Sequence, residues 1–144
     1  MFLFYAYPCA EMKERRGIIS WEDFKELTAI VDNGNSPTHN LLIRCFHIAV
    51  QSFAEFAGID SLIENPWPVG KVREFWRKHQ GRRLECAVVR GEVEKISDIR
   101  AQVRIKDREK DRSVLAFNRY ELPISKGDTI FFHWHVITEV EKKP

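Results

Sequence analysis

Three side chains in the second half of the chain are of types that bind transition metals. Cys86 offers a soft thiolate, and His133 and His135 offer two imidazoles two positions apart. Side chains at i and i+2 of a β-strand share a face, so we expect the two histidines to reach one ion together. Two ligands do not complete a site. The candidates for the third ligand are Cys86, Glu139, His39 and His47.

Each of these residues also has an ordinary structural interpretation. Arginines close in sequence favour a reactive thiolate at Cys86, but a thiol at the start of a strand is equally a small apolar side chain. The two histidines can face the helices, with their ring nitrogens satisfied by hydrogen bonds. Cys45 falls on the apolar face of a helix, and we expect it in the core.

A basic segment between residues 71 and 83 is the second candidate site. Phosphates would meet its cations and bases could stack on an exposed aromatic ring, which favours RNA or single-stranded DNA, and the same residues could form a partner surface. Against this, Phe75 and Trp76 lie where the helix should face the core, and the cations spread around the helix. The candidate contact residues are Lys71, Arg73, Arg77, Lys78, Arg82, Arg83 and Trp67.

Motifs of known enzyme classes are missing from the sequence. It contains no Gly-rich phosphate loop, no nucleophile elbow and no H-E-x-x-H pattern. Glu121, Asp128 or Glu139 could meet a histidine in space, so catalysis stays open. The sequence leans against an enzyme.

Composition sets the broad class. The chain has 144 residues, of which 44% are hydrophobic and 31% charged, enough for one domain or two very small ones. A formal net charge of +2 is too mild to indicate a nucleic-acid binder alone. Three cysteines without paired spacing give no disulfide framework, and no apolar run reaches membrane-spanning length. We therefore expect a cytoplasmic protein in a reducing environment.

Hydrophobic periodicity predicts about three helices, at residues 21–32, 39–57 and 71–79. Ser20 and Thr38 are the predicted N-caps of the first two, because each precedes an apolar repeat of helical spacing. Residues 2–7 fit either a short strand or the start of a helix, and Pro8 is expected to end it.

From residue 84 the period changes to that of β-strands. We predict strands at residues 84–96, 101–106, 113–117 and 129–140, with Gly91 as a bulge or corner. Residues 107–112 are six consecutive charges and are expected to form an exposed hairpin loop, and residues 125–128 a tight turn. Short antiparallel strands in this number fit a small closed barrel better than an open sheet.

Two blocks of the strand region carry a resemblance to known families. Cys86-Ala87-Val88-Val89-Arg90-Gly91-Glu92-Val93 resembles the opening of the HypC/HupF hydrogenase-maturation chaperones and of the CooT nickel proteins, and Gly127-Asp128 followed by His133 resembles their closing stretch. The order of motifs is also similar to that of an uncharacterised prokaryotic family with a HypC-like tail. The motifs compared with that family are Gly127-Asp128…His133-Trp134, Ala57-Gly58-Ile59 and Val72…Trp76.

The resemblance implies a small OB-like barrel over about residues 84–141. In HypC- and CooT-type proteins the metal-handling cysteine is N-terminal, so its amine is also available. Cys86 is internal here, and Arg90 stands where those families often have proline. These departures remove the main reason to assign metal delivery by resemblance.

Taken together, the sequence predicts an α+β protein in which a helical region, residues 1–81, packs on an antiparallel HypC-like barrel, residues 82–144, around one shared core. We expect a non-enzymatic interaction or adaptor protein with a protein partner or self-association, and no membrane. The alternatives are a nickel, iron or zinc protein, or an accessory factor for metallocentre assembly, and an RNA- or single-stranded-DNA-binding OB-like module. A transition metal is the expected cofactor under the first alternative.

Overall fold

The computed structural model describes residues 1–60, 67–78 and 87–144 and has an α+β fold. The chain divides into two compact units, Met1–Trp76 and Arg77–Pro144. The predicted boundary at residues 81 and 82 lies outside the described residues, and the shared core stays a prediction. No helix in the described ranges combines the length and the apolar character needed to cross a membrane.

The first unit opens with helical structure. Helix α1 (Phe2–Ala6) runs through a 3₁₀ turn (Tyr7–Cys9) into α2 (Ala10–Arg15), so the alternative of an N-terminal strand is wrong. Pro8 does not end the helical run as expected. It lies in the first turn of the 3₁₀ segment, where a backbone N–H has no intrahelical partner and its loss costs little.

The longer helices of this unit match the predicted pattern. They are α3 (Trp21–Asn33), α4 (His39–Ala57) and α5 (Val69–Arg77). The Ser20 hydroxyl accepts the Asp23 N–H at 3.0 Å and the Thr38 hydroxyl accepts the Leu41 N–H at 3.2 Å, as predicted for N-caps. Helix α5 begins two residues earlier than expected, and its predicted end at residue 79 lies outside the described residues.

Aromatic side chains form the core of the helical unit. The Phe2 ring lies 5.1 Å from Trp67 and 5.2 Å from Trp76, centroid to centroid, and Tyr5 stacks on Trp76 at 5.9 Å. Trp76 is 2% exposed, which confirms its predicted place in the core. Edge-to-face rings at these distances stabilise the core beyond the area that they bury.

The second unit is a five-stranded barrel. Its strands are β1 (Val89–Ser97), β2 (Arg100–Asp107), β3 (Lys110–Phe117), β4 (Thr129–His133) and β5 (Val136–Glu141). The predicted strand at residues 101–106 is confirmed. The predicted loop at residues 107–112 is too long, because pairs from Ile105 with Arg112 to Asp107 with Lys110 extend the β2–β3 ladder almost to the hairpin turn.

The strands close in the order β1-β2-β3-β5-β4. Strands β3 and β5 are parallel, joined by the single pair Phe117 and Val136, whereas the other neighbours are antiparallel. The barrel is therefore mixed and not antiparallel as predicted. This order is that of a small OB-like barrel. Its interior is apolar and includes Val93, Val103, Ile130 and Ile137.

The predicted long strand over residues 129–140 is wrong. Strand β4 ends at His133, the chain reverses at Trp134 and His135, and β5 begins at Val136. Both turn residues have left-handed backbone angles, with φ of 50° and 62°. A two-residue turn of this kind usually contains asparagine or glycine. The sequence pattern gave no sign of the turn, because large side chains occupy both positions.

Gly91 lies where β1 passes close to β2. A Cβ atom at this position would lie 2.9 Å from the Arg104 carbonyl oxygen and would clash with the Val103 side chain. The shift in strand register falls later, between Val93 and Lys95. Gly91 is therefore a point of close backbone approach, and the bulge itself lies beyond it.

Candidate functional site

The two histidines of the predicted metal site do not share a strand face. His133 ends β4 and is 2% exposed, whereas His135 lies in the turn, is exposed and places its Nδ1 3.1 Å from the Leu115 carbonyl oxygen. The prediction that the two histidines share a strand face is wrong, because it assumed one strand that continues through residues 133–135. Cys86 lies outside the described residues. A metal site that includes it therefore stays a prediction.

The other proposed metal ligands have different surroundings. Glu139 accepts a hydrogen bond from Arg77 at 2.7 Å, and the His39 ring lies 5.8 Å from the Trp67 ring. Within residues 1–60, 67–78 and 87–144, no group of three or more histidine, cysteine, aspartate and glutamate side chains is placed to hold a metal ion.

The predicted basic surface loses its stacking aromatic. Trp67 is 5% exposed and packs against Phe2 and Phe53, so no base can stack on it in this conformation. Sequence reasoning missed this burial because Trp67 lies in a proline-rich stretch without helical periodicity. Lys71 is exposed and lies over the Phe56 ring at 5.8 Å. Arg82 and Arg83 lie outside the described residues.

Arg77 has a structural role in the barrel unit. Its guanidinium lies 3.8 Å from the centroid of the Phe131 ring, and its two terminal nitrogens bond Glu139 at 2.7 Å and Glu141 at 2.8 Å. These contacts hold strands β4 and β5 side by side through a planar cation. Because both carboxylates offset its charge, Arg77 contributes little to binding an anion.

The exposed face of β2 carries a row of cations that sequence reasoning did not identify as a site. Arg100, Gln102, Arg104 and Lys106 are exposed and alternate with the buried residues of the same strand. Arg104 bonds Glu92 of β1 at 2.9 Å, but both side chains are about half exposed, so this pair is weak. The alternation was visible in the sequence and indicated the solvent-facing side, but the strands that lie beside this row are known only from the closed barrel.

Strand β3 places apolar groups beside this row. Phe117 pairs with Arg100 and Leu115 pairs with Gln102 in the β2–β3 ladder. Leu115 is 46% exposed and Phe117 is partly exposed. Opposed residues of an antiparallel pair have side chains on the same face, so these apolar groups lie beside Arg100 and Gln102, whereas Ser113 and Asp111 lie beside Arg104 and Lys106. We call these residues of β2 and β3 the outer face.

Formal charge is divided unevenly between the two units. From Arg77 to Pro144 the sequence has 16 Lys and Arg against 11 Asp and Glu, which gives +5. From Met1 to Trp76 it has 7 against 10, which gives −3. The mild net charge of the whole chain thus conceals a basic barrel unit, which favours an anionic partner there.

One end of the barrel opens into a cavity of about 340 Å³, which we call the mouth pocket. Val89, Ile105, Val114 and Phe132 line its apolar part. All four also pack in or against the barrel core, so the pocket continues the interior towards solvent. Its volume is within the range of small-molecule sites.

Charged and aromatic groups complete the mouth pocket. Lys106, Asp107 and Arg112 contribute charges from the β2–β3 hairpin, and Trp134 and His135 contribute rings from the β4–β5 turn. The Asp107 carboxylate lies 3.6 Å from the Arg112 guanidinium, with both side chains about half exposed. The pocket therefore has both signs of charge beside an aromatic wall.

The Gly127-Asp128 motif has a structural role. The Asp128 carboxylate accepts hydrogen bonds from the Lys142 ammonium at 2.9 Å and from the backbone N–H groups of Ser125 and Lys143 at 2.8 and 3.0 Å. Asp128 is 3% exposed. The Lys142 hydrogen bond, and then the backbone donors, lower the pKa of this carboxyl from its usual value.

Cys45 is unreactive, in agreement with its predicted place in the core. It is 2% exposed on the buried face of α4, and burial raises the pKa of its thiol to about 11. The thiolate is the nucleophilic and metal-binding form, so this side chain is protonated and inert at neutral pH.

Comparison of the chain with protein-family models, with curated proteins and with solved structures gives no match. The HypC-like relationship therefore stays a prediction, and the outer face and the mouth pocket are the features from which we infer function.

Proposed function

We propose that the barrel unit binds single-stranded nucleic acid, RNA or DNA, on its outer face. The observation that carries this proposal is the cationic row on the exposed side of β2. OB-like barrels use the face of strands 2 and 3 for oligonucleotides, and the row lies on that face here. The charge of +5 on this unit supports the same partner class.

The dimensions of the row suit an extended strand. Side chains two positions apart on a β-strand are separated by about 7 Å, so Arg100 to Lys106 span roughly 20 Å. Arginine and lysine along this line would contact successive phosphates, while bases contact Leu115 and Phe117. Gln102 adds an uncharged hydrogen-bonding group within the row.

Because phosphate contacts dominate, binding should depend on salt. About three neutralised phosphates predict a slope near −2 for the logarithm of the binding constant against the logarithm of salt concentration. The exposed pair between Arg104 and Glu92 releases Arg104 at little cost, since exposed ion pairs are worth about 0–1 kcal/mol.

Fluorescence anisotropy tests the proposal with labelled oligo-U and oligo-dT at two salt concentrations. Loss of one charged contact predicts that Arg100→Gln weakens binding about tenfold. Arg16→Gln is the matched control, because Arg16 is an exposed cation in the helical unit and is not part of the outer face. Absence of salt-dependent binding at micromolar protein, or equal loss in both variants, would overturn the proposal.

A protein partner or self-association is the second candidate. It is supported by large apolar side chains that the barrel unit leaves exposed, among them Ile99 at 52% and Leu115 at 46%. Light scattering at rising protein concentration tests self-association. We expect Leu115→Ser to reduce the apparent mass if this surface joins two copies, and a monomer at every concentration would count against it.

A further inference from the structure

The turn that borders the mouth pocket has a backbone conformation that its residues disfavour. Trp134 and His135 both have positive φ, where large side chains are uncommon. Asparagine and glycine would meet the same geometry without strain. Residues with strained backbone angles cluster at functional sites, and here both strained side chains line a cavity.

A buried donor adds a second observation. The Trp134 indole Nε1 is inaccessible to solvent and has no hydrogen-bond partner among the described residues. A buried N–H without an acceptor is unfavourable, because it has lost its hydrogen bonds to water. A ligand that brings an acceptor into the pocket would remove this cost.

The remaining polar groups specify the rest of the ligand. Lys106 and Arg112 favour an anionic group, and Asp107 offers an acceptor for an N–H of the ligand. The His135 ring is exposed and stacks on the Phe132 ring with 25° between their planes, so its free face favours a planar partner. A ligand that fits all of these groups has a planar ring with hydrogen-bond donors and acceptors at its edge, joined to an anionic group.

We propose that the mouth pocket binds one nucleotide unit. The nucleobase lies against Trp134 and the exposed His135 ring, a rotation of the indole brings the Trp134 N–H to an acceptor on the base, and the phosphate meets Lys106 and Arg112. Stacking against aromatic side chains tolerates every base, since each has a flat face. The unit is either a free mononucleotide or one nucleotide of a bound strand.

The pocket and the outer face are separable sites. Arg100 and Gln102 belong to the outer face and do not line the pocket, whereas Arg112 and Trp134 line the pocket and lie outside that face. Lys106 belongs to both, so a strand on the outer face can deliver a nucleotide to the pocket. The free-nucleotide form does not depend on the proposed function, and only the strand form rests on it.

The test follows the Trp134 indole N–H resonance of the full chain by nitrogen–proton NMR. The sequence has 4 tryptophans, and Trp134→Phe assigns the signal by its loss. One arm titrates AMP, GMP, CMP and UMP separately, and the other titrates a four-nucleotide oligo-U. We expect a saturable shift of this signal in at least one arm, and the arm that responds identifies the source of the nucleotide.

Two variants then locate the binding. Arg112→Gln should raise the dissociation constant about tenfold by loss of a charged contact, with Arg16→Gln unchanged as the control. Replacing the turn by Trp134→Asn and His135→Gly should weaken binding, measured by calorimetry, roughly tenfold or more, while the backbone turn is retained.

The outcomes separate this proposal from the previous one. No shift in either arm, or full affinity in the turn variant, overturns the nucleotide pocket. If Arg100→Gln still weakens strand binding in that case, the outer face stands without the pocket. Mononucleotide binding that is sensitive to Arg112→Gln, in a protein that binds no strand, supports the pocket and rejects the outer face.

Discussion

Asp128 is buried but ionised because three groups donate hydrogen bonds to its carboxylate in a fixed arrangement. The Lys142 ammonium and two backbone N–H groups donate to its oxygens, and the adjacent Gly127 N–H bonds the Val93 carbonyl oxygen. One side chain thereby joins the end of the chain to the connection between β3 and β4. These contacts give the Gly-Asp pair at this turn a structural explanation that needs no catalytic or metal-binding role.

Asp128→Asn should destabilise the protein by about 1–3 kcal/mol at pH 7, because an amide cannot accept all three charge-assisted bonds. The folded state holds the pKa of Asp128 below its unfolded value of about 3.9. The stabilisation is therefore complete above that value and is lost as pH falls through the lower folded pKa. Urea denaturation at pH 7, 4 and 3 measures the difference.

The control for this experiment is Asp98→Asn, since Asp98 is exposed in the β1–β2 turn and asparagine tolerates its positive φ. We expect a change within about 0.5 kcal/mol there. A stability difference between wild type and Asp128→Asn that stays constant from pH 7 to pH 3 would contradict the assigned role of the carboxylate.

Burial of single residues could be predicted where a helical repeat surrounds them. Cys45 and Trp76 occupy apolar positions of α4 and α5 and are buried as expected. Trp67 lies between two prolines, where no repeat indicates a direction. Its burial depends on Phe2 and Phe53, which are distant in sequence.

In the β4–β5 turn, the residue types disfavour the backbone conformation that they adopt. Replacing Trp134 and His135 by asparagine and glycine should relieve about 1 kcal/mol or more of left-handed strain per residue. The loss of Trp134 packing and of the His135 bond to Leu115 offsets part of this gain. We expect a net stabilisation of about 1 kcal/mol by chemical denaturation.

The single change His135→Gly provides the comparison, because it relieves one strained residue and keeps the indole ring. We expect His135→Gly to give about half of the stabilisation of the double variant. A double variant that is less stable than wild type would show that Trp134 packing outweighs backbone strain, so the turn would need no functional explanation.

Elements with local signals were predictable, and this turn was not. Ser20, Thr38 and the glycines after α3 and α4 fix helix ends through bonds within a few residues. The sequence His133-Trp134-His135 has no residue that favours a turn, so the apolar alternation extended one strand through it. The same error placed two histidines on one face and created the predicted metal pair.

At the scale of the whole molecule, the strands could be predicted from the sequence, but the order in which they close the barrel could not. Alternation in β2 shows which side chains face inwards, yet it contains no information about which strand lies beside β3. The parallel contact joins residues separated by the entire β3–β4 connection and β4. Both candidate sites depend on that closure, so neither could be assembled from the sequence.

The lone Phe117–Val136 pair also makes this seam the expected place for the barrel to open. The Phe117 N–H donates to the His135 carbonyl oxygen at 2.7 Å across it, whereas the β2–β3 ladder extends over eight residue pairs. Amide hydrogen exchange of Phe117 should therefore proceed by a local opening, with a free energy below that of global unfolding, while the Val103 amide in β2 exchanges only when the whole barrel unfolds. Equal protection of the two amides would rule this out. Such an opening would also let a ligand enter the cavity without unfolding the protein, so a nucleotide that stabilises the closed barrel should slow the exchange of Phe117 selectively.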